Sequence, residues 1–416
     1  MALRQSIIGV LGHVDHGKTK LLDKIRGSAT QSGESGGITQ AIGASIIPLQ
    51  TVKKICGNLL DNKSDFSIPG LLFIDTPGHA AFSTLRKRGG SIADIAILVI
   101  DINEGLKPQT IESIEILKGS KTPFVIAANK IDLVPGYKQK DKLLLKNLNN
   151  QDPYVQEHID TKLYEILGKL SELGLNSERF DRVEDYTKQV AIIPVSAITG
   201  DGIPELLMVL IGLAQKFLEE NLKLHVEGNA KGSVIEVKET TGLGVTLDVI
   251  IYDGILKRGD KIMIGGLDKP IETRVKALLC PLPLNEMRDK KTKFKAQSEV
   301  TAATGVKISA PGIDNVIAGM PIQSYTDKIK TQVSEEIQKQ VKDVVVETGD
   351  SGIIIKADTL GSLEALTFLL KEKEIPVRKA RIGKISKKDI TDAESNYDKN
   401  PLHSVILGFN VDRDAE

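Results

Sequence analysis

The run Gly12-His13-Val14-Asp15-His16-Gly17-Lys18-Thr19 has the residue types and spacing to hold a string of phosphates, matching G-x-x-x-x-G-K-[ST] at every fixed position. Its two glycines let backbone N–H groups close around phosphate oxygens, and a helix starting there offers its positive end. Lys18 reaches the outer phosphates and Thr19 can ligate Mg²⁺. Asp15, His16 and Gly17 belong to the same loop and count with Lys18 and Thr19 as nucleotide contacts. The chemistry implied is binding of a nucleoside triphosphate.

Further residues suit sensing and cleaving the last phosphate. Ser28 to Gly37 is rich in Ser and Gly, a composition that holds no structure unaided, and Thr39 follows. A hydroxyl on such a loop can ligate Mg²⁺ and order the loop only while the terminal phosphate is present. A plain surface loop with an incidental Thr is the bland alternative. The apolar run Leu71-Leu72-Phe73-Ile74 leads into Asp75-Thr76-Pro77-Gly78-His79. An acid at a strand's carboxyl end can hold Mg²⁺, Gly78 lets its N–H approach the terminal phosphate, and His79 can orient an attacking water, as a Gln does in other P-loop nucleotidases. A lone His is usually a satisfied surface or core residue; next to D-T-P-G we assign His79 to catalysis.

Base choice is written in Asn129-Lys130-Ile131-Asp132. The Asp132 carboxylate can accept the N1–H and 2-amino hydrogens of guanine, which adenine does not offer. Ser196-Ala197-Ile198, after the strand-like Ala191 to Val195, would buttress the base edge with backbone N–H groups.

These residues need a frame. Ser6 to Leu11, Leu71 to Ile74, Ile95 to Asp101 and Phe124 to Ala128 are continuous apolar runs, expected as strands of a parallel sheet covered on both faces. Lys20 to Ile25 reads as a helix start. Between Asp132 and Ser196, Val155, Ile159, Leu163, Ile166, Leu167 and Leu170 form a helix-period stripe, an added element whose expected task is core packing. From Gly232 the pattern changes to Val234 to Lys238, a glycine turn, and Val245, Leu247, Val249 and Ile251 on one strand face. Further short strands at Lys261 to Ile264 and Glu272 to Leu278 predict an antiparallel barrel. Arg288 to Lys295 is basic with one aromatic and suits RNA phosphates or a solvated loop equally. Asp327 to Val346 carries Ile329, Val333, Ile337, Val341 and Val344 on one helix face. Strands at 352–357, 376–382 and 403–409, with Leu363, Leu366, Leu369 and Leu370 on one side of a helix, read as an α/β layer in which Gly361 alone cannot cradle a phosphate.

The expected fold class is therefore α/β: a P-loop GTPase domain with a parallel-type sheet (1–222), an antiparallel β-barrel (223–326), a connecting helix (327–348) and a small α/β layer domain (349–416). Lys+Arg and Asp+Glu both number 55, so nucleic-acid contact has to come from local patches rather than a global field. Cys56 and Cys280 are far apart and in no C-x-x-C arrangement, which indicates neither a zinc knuckle nor a disulfide framework. No apolar run approaches the roughly 18 residues of a membrane span, and a cytoplasmic, untargeted protein is expected.

In this order the motifs resemble the G domain of the translational GTPases. Gly36-Gly37-Ile38-Thr39-Gln40-Ala41-Ile42-Gly43 with Phe82-Ser83-Thr84-Leu85-Arg86-Lys87-Arg88-Gly89-Gly90 looks like the translation initiation factor 2 / 5B family. Lys20 and the long segment before Ser196 incline towards its archaeal or eukaryotic branch. The run Asp358-Thr359-Leu360-Gly361-Ser362-Leu363-Glu364-Ala365-Leu366 resembles the family's third domain. The resemblance implies GTP and GDP as ligands, Lys18, Thr19, Thr39 and Asp75 as phosphate and Mg²⁺ contacts, Asp15 as a candidate monovalent-cation ligand, and His79 as the hydrolytic residue. It also implies a monomer that meets both ribosomal subunits, ribosomal RNA and other initiation factors, promotes subunit joining, and leaves after ribosome-stimulated hydrolysis. The family continues into a further barrel that holds initiator tRNA; that domain is expected to be absent here. Two rivals stand beside this reading. A tRNA-carrying translational GTPase would need a second barrel after the first, and a guanine-nucleotide switch would hydrolyse GTP only incidentally.

Overall fold

The first apolar run forms β1 (Ser6–Gly12), buried along its whole length, and the phosphate-loop pattern leads from it into α1 (Lys18–Gly27). The chain continues through β2 (Gly43–Pro48), α2 (Leu49–Cys56), β3 (Gly70–Asp75), β4 (Ile95–Asp101), α3 (Pro108–Ser120) and β5 (Phe124–Asn129). Then come α4 (Leu144–Asn149), α5 (Pro153–Glu172), β6 (Ser177–Arg179), β7 (Val190–Pro194) and α6 (Ile203–Phe217). This computed structural model describes residues 3–27, 43–60, 66–75, 92–217, 228–240, 244–266, 269–281, 294–314, 316–342, 351–358, 362–363, 366–367, 369–370, 373–397 and 400–413. The strands make one sheet in the order β2-β3-β1-β4-β5-β7-β6, parallel except for the β2–β3 pair.

Both faces of that sheet are covered, and at the β2-β3-β1 edge they have different partners. Because side chains alternate along a strand, Ile8, Val10, Leu71 and Phe73 enter the core shared with the helices. Ile7, Ala44, Leu72 and Ile74 face the other way and pack against Ile235, Ile250 and Ala303 of the following unit. The expected stripe on α5 is present: Val155, Ile159, Leu163, Ile166 and Leu170 are buried and Leu167 packs against them.

The second unit comprises β8 (Lys231–Thr240), β9 (Gly244–Asp253), β10 (Ile255–Lys257), β11 (Lys261–Ile264), β12 (Ile271–Arg274), β13 (Ala277–Pro281), β14 (Phe294–Gln297), β15 (Glu299–Thr301), β16 (Thr304–Ser309) and β17 (Pro321–Ser324). Eight of them pair antiparallel in the order β12-β11-β17-β8-β9-β16-β13-β14, and β10 pairs with β15. Val234, Val249, Ile262, Leu278, Val306 and Ile322 come from six of these strands into one core, which the sheet must curl around to enclose. The single strand expected over Glu272 to Leu278 is two. β12 pairs with β11, whereas Lys276 donates its N–H to Ser309 O at 2.8 Å as the chain crosses to β16, with buried Val275 at the corner.

A short turn, Asp327–Ile329, opens α7 (Lys330–Lys342). Val333 and Ile337 pack with Met263 and Tyr325, and Val341 joins the core of the second unit; Val344 lies outside the described residues. Beyond it, β18 (Ile353–Ala357) pairs in parallel with both β19 (Val377–Ile382) and β20 (Ile406–Phe409), and α8 (Lys387–Glu394) lies between the last two in sequence. A parallel sheet is an α/β layer, so this third unit is not the second barrel that a tRNA carrier would need. Two expectations change here. The strand expected from His403 starts at Ile406, because Pro401–His403 forms a turn in which Asn400 accepts the N–H of Leu402. Leu369, expected among the inward leucines, is half-exposed, whereas Leu363 is buried and Leu366 and Leu370 pack on the core.

Candidate nucleotide site

Parallel strands finish on one edge, and β1, β3, β4, β5 and β7 therefore deliver Gly12, Asp75, Asp101, Asn129 and Pro194 to the same carboxyl rim, the usual place for a ligand on such a sheet. Two glycines set the phosphate loop. Gly12 has φ 137°, and a Cβ there would stand 2.3 Å from Val99 O; Gly17 has φ 90°, and a Cβ there would stand 2.4 Å from Asn129 Nδ2. Both positions combine a positive φ with backbone or side-chain contact too close for any other residue. Asp15, also at positive φ (65°), is exposed.

Lys18 is buried, and its Nζ donates to Gly12 O at 2.8 Å and His13 O at 2.7 Å, which holds the ammonium across its own loop. Thr19 is partly exposed in the first turn of α1. On the neighbouring strand Asp75 is paired in register with Val10. Thr and Asp are residue types whose oxygens Mg²⁺ takes as ligands, so these two positions are the candidates to hold it. His16 is 1% exposed, and its ring meets that of His13 edge-on with centroids 5.0 Å apart. Burial, and then the neighbouring His13, push the His16 imidazole down to about 4. Glu104 Oε2 is 3.9 Å from its Nε2.

Asn129 joins the loops. Its Nδ2 donates to His16 O at 2.8 Å, and its Oδ1 accepts the N–H of Ala197 at 3.0 Å. Lys130, with φ 68°, pairs through Nζ with Asp101 Oδ2 at 2.7 Å. Burial works against a charged Asp101, yet hydrogen bonds from Lys130 and Asn103 hold its carboxyl below the usual range. Asp132 stands partly exposed in the turn Ile131–Leu133. The N–H groups expected to line the base are donated within the protein: Ser196 to Asp201 O (2.9 Å), Ala197 to Asn129, and Ile198 to Ser196 Oγ (3.2 Å). Those bonds shape the loop, and Ile198 stays 62% exposed at its tip.

The sequence-predicted residues Asp15, His16, Gly17, Lys18, Thr19, Asn129, Lys130, Asp132, Ser196, Ala197 and Ile198 thus gather on one rim. Thr39, Gly78 and His79 lie outside the described residues, as do 36–42, 82–90 and most of the basic run Arg288 to Lys295. Motif spacing missed two supports. Gln109 Oε1 accepts the N–H of Val14 at 3.2 Å, and Lys24 Nζ donates to Ile198 O at 2.7 Å. Gln109 carries no local signal beyond following Pro108 at a helix start. Cys56 and Cys280 are free thiols; burial pushes the first up to about 12 and the second to about 11. Among the described residues no helix is long and apolar enough to cross a membrane.

Comparison with known proteins adds three family matches: elongation factor Tu GTP binding domain over residues 4–216, elongation factor Tu domain 2 over 244–323, and translation-initiation factor 2 over 324–416. The chain is 57% identical over 413 residues to the probable translation initiation factor IF-2 of Methanopyrus kandleri, covering 99% of this chain and 69% of that protein. It is 54% identical over 419 residues to the protein of the same name from Thermococcus onnurineus, covering 100% and 70% respectively. The crystal structure of GDP-bound aIF5B from Aeropyrum pernix superposes with a TM-score of 0.85 at 50% identity, covering 99% of this chain and 69% of that one.

Proposed function

Because the chain belongs to the IF-2/aIF5B family of translation initiation factors, which are GTPases, we propose that it is a GTP-driven switch for joining the ribosomal subunits. In this reading GTP, held with Mg²⁺, favours a form that docks on the ribosome as a monomer, touching both subunits and their RNA beside other initiation factors. Hydrolysis then lets the factor leave. The work takes place in the cytoplasm.

The bond network of Asn129 carries the proposal. One side chain fixes both the phosphate loop and the loop after β7, so binding the phosphates and reading the base are a single event. Lys18 turns its ammonium from the carbonyls of Gly12 and His13 towards the outer phosphates. The N–H groups of the loop and the start of α1 stabilise the negative charge. Asp132 accepts the two guanine donors, and the Asn129, Lys130 and Ser196 to Ile198 segments hold the purine in place. Thr19, Thr39 and Asp75 would hold Mg²⁺, which supplies charge neutralisation at the phosphates when bound; Asp15 is the proposed ligand of a monovalent cation. Gly78 senses the terminal phosphate and His79 orients the attacking water for in-line displacement.

Steady-state hydrolysis of GTP, with and without assembled ribosomes and with ATP as control, tests the reading. The expected result is slow hydrolysis, specific to GTP, that ribosomes accelerate. His79→Ala should keep nucleotide affinity and lose the stimulated rate by about 10² to 10³, the usual cost of one transition-state contact. Normal stimulated turnover by that variant would remove His79 from the mechanism, and equal hydrolysis of ATP would remove the guanine site.

A further inference from the structure

The stretch after Asp132 makes polar contacts that none of these steps uses. Tyr137 Oη donates to Asp201 Oδ2 at 2.8 Å, and Gln139 Nε2 donates to Asp201 Oδ1 at 2.7 Å. Thr199 Oγ1 also donates to Oδ2, at 2.8 Å. Asp201 is 1% exposed, so a carboxylate buried at this point depends on these donors. Its backbone carbonyl closes the loop by accepting the N–H of Ser196 at 2.9 Å. On the far side Asn147 Nδ2 donates to Tyr137 Oη at 2.7 Å, and Gln151 Nε2 donates to Asn147 Oδ1 at 3.0 Å. The added segment therefore anchors its own tyrosine before that tyrosine reaches across. Burial, and then the Asp201 carboxylate, push the Tyr137 phenol well above its usual range, so it remains the donor.

Position gives this contact its meaning. Asp132 stands in the turn Ile131–Leu133, and backbone bonds from Val134 to Ile131 O (3.1 Å) and Tyr137 to Val134 O (3.0 Å) run without a break from that turn to the tyrosine. Asp201 ends the loop that contains Ser196 to Ile198. We propose that Tyr137 and Asp201 staple together the two loops that read the base, as positioning residues for guanine selectivity and nucleotide residence time. The proposal rests on the guanine reading of Asp132. A purine is rigid, so the spacing between Asp132 and the 196–198 loop decides whether both hydrogen bonds to the carboxylate form at good angles. When the staple loosens, the bond to the exocyclic 2-amino group is the added one at risk. An inosine nucleotide lacks that amino group and so loses less.

The test uses the full chain and fluorescent mant-GDP and mant-IDP, with release followed by stopped flow. Tyr137→Phe keeps the ring and removes one hydrogen bond, so GDP should leave about fivefold to tenfold faster. IDP should accelerate by no more than about twofold, and the GDP/IDP affinity ratio should fall accordingly. Gln139 is exposed, so Gln139→Ala tests the same carboxylate without threatening the fold; it should move the ratio in the same direction by less. Equal acceleration of both nucleotides, or no change in either variant, would overturn the staple. Wild-type protein that binds GDP no better than IDP would instead overturn the guanine site on which it stands.

Discussion

His16 shows how one residue of a binding loop can link function to pH. Its side chain is taken out of water beside His13, with Asp101 and Glu104 the acidic groups facing it and Lys107 Nζ 3.1 Å from Glu104. The folded protein holds the imidazole neutral down to about 4, against an ordinary value of 6.5. Between those two values the unfolded chain binds the proton and the folded chain does not. Stability therefore stands at its full value above pH 6.5 and declines as pH falls from there towards about 4. The loss is on the order of 3 kcal/mol from this group. Thermal melts at pH 7.5, 6 and 5 should show a steeper acid decline for wild type than for His16→Asn. Parallel declines would mean that His16 is not held neutral. Gly17 belongs to the same argument, since its missing side chain is what lets Asn129 reach the loop.

At the scale of elements, what could be read in advance was whatever is local. Continuous apolar runs gave β1 and β4, period-two alternation gave β9, and the helix stripe gave α5, because burial of a face leaves its mark at fixed spacing. The rim itself was legible for the same reason: the motifs that begin at Gly12, Asp75, Asn129 and Ser196 each close or follow a strand, and parallel strands end together. Partners were not legible. Lys130 taking Asp101, Lys24 taking the Ile198 carbonyl, and Tyr137 taking Asp201 each join residues whose nearness is decided only by the finished fold. The crossing at Val275 and Lys276 was hidden similarly, because a strand's change of partner leaves its apolar alternation intact. The stripe on α7 carries a prediction at this scale. Ile337 is fully buried against the second unit, and Ile337→Ala should destabilise that unit by about 2 to 4 kcal/mol through the cavity left behind. Urea melts measure it, and a loss under about 0.5 kcal/mol, roughly a surface substitution's effect, would show that the helix is not docked by this face.

Across the whole molecule, the strands that hold the phosphates also bear on the next unit. Gly12 and Asp75 end β1 and β3, and on those same strands Ile7, Leu72 and Ile74 pack with Ile235, Ile250 and Ala303 of the second unit. At the β2-β3-β1 edge, part of the sheet's second face is thus closed by the neighbouring unit, while both faces of β4 and β5 stay in the core shared with the domain's own helices. A change at the rim when the terminal phosphate leaves therefore has packed side chains, with no gap of solvent, between itself and the unit beyond. Packed contact alone does not establish coupling; that requires a perturbation of the contact that alters the response and spares the site. Ile250 is fully buried in this patch and is not one of the residues gathered on the nucleotide rim. Ile250→Ala leaves a cavity in this patch, and the expected outcome is GDP affinity within about twofold of wild type, because the variant removes no residue of the rim. Ribosome-stimulated GTP hydrolysis should fall several-fold in the same variant, since the second unit would no longer follow the rim closely. If stimulation survives unchanged while melting shows the expected loss of stability, the patch is a static brace, and the signal from nucleotide to ribosome must leave the sheet by another face.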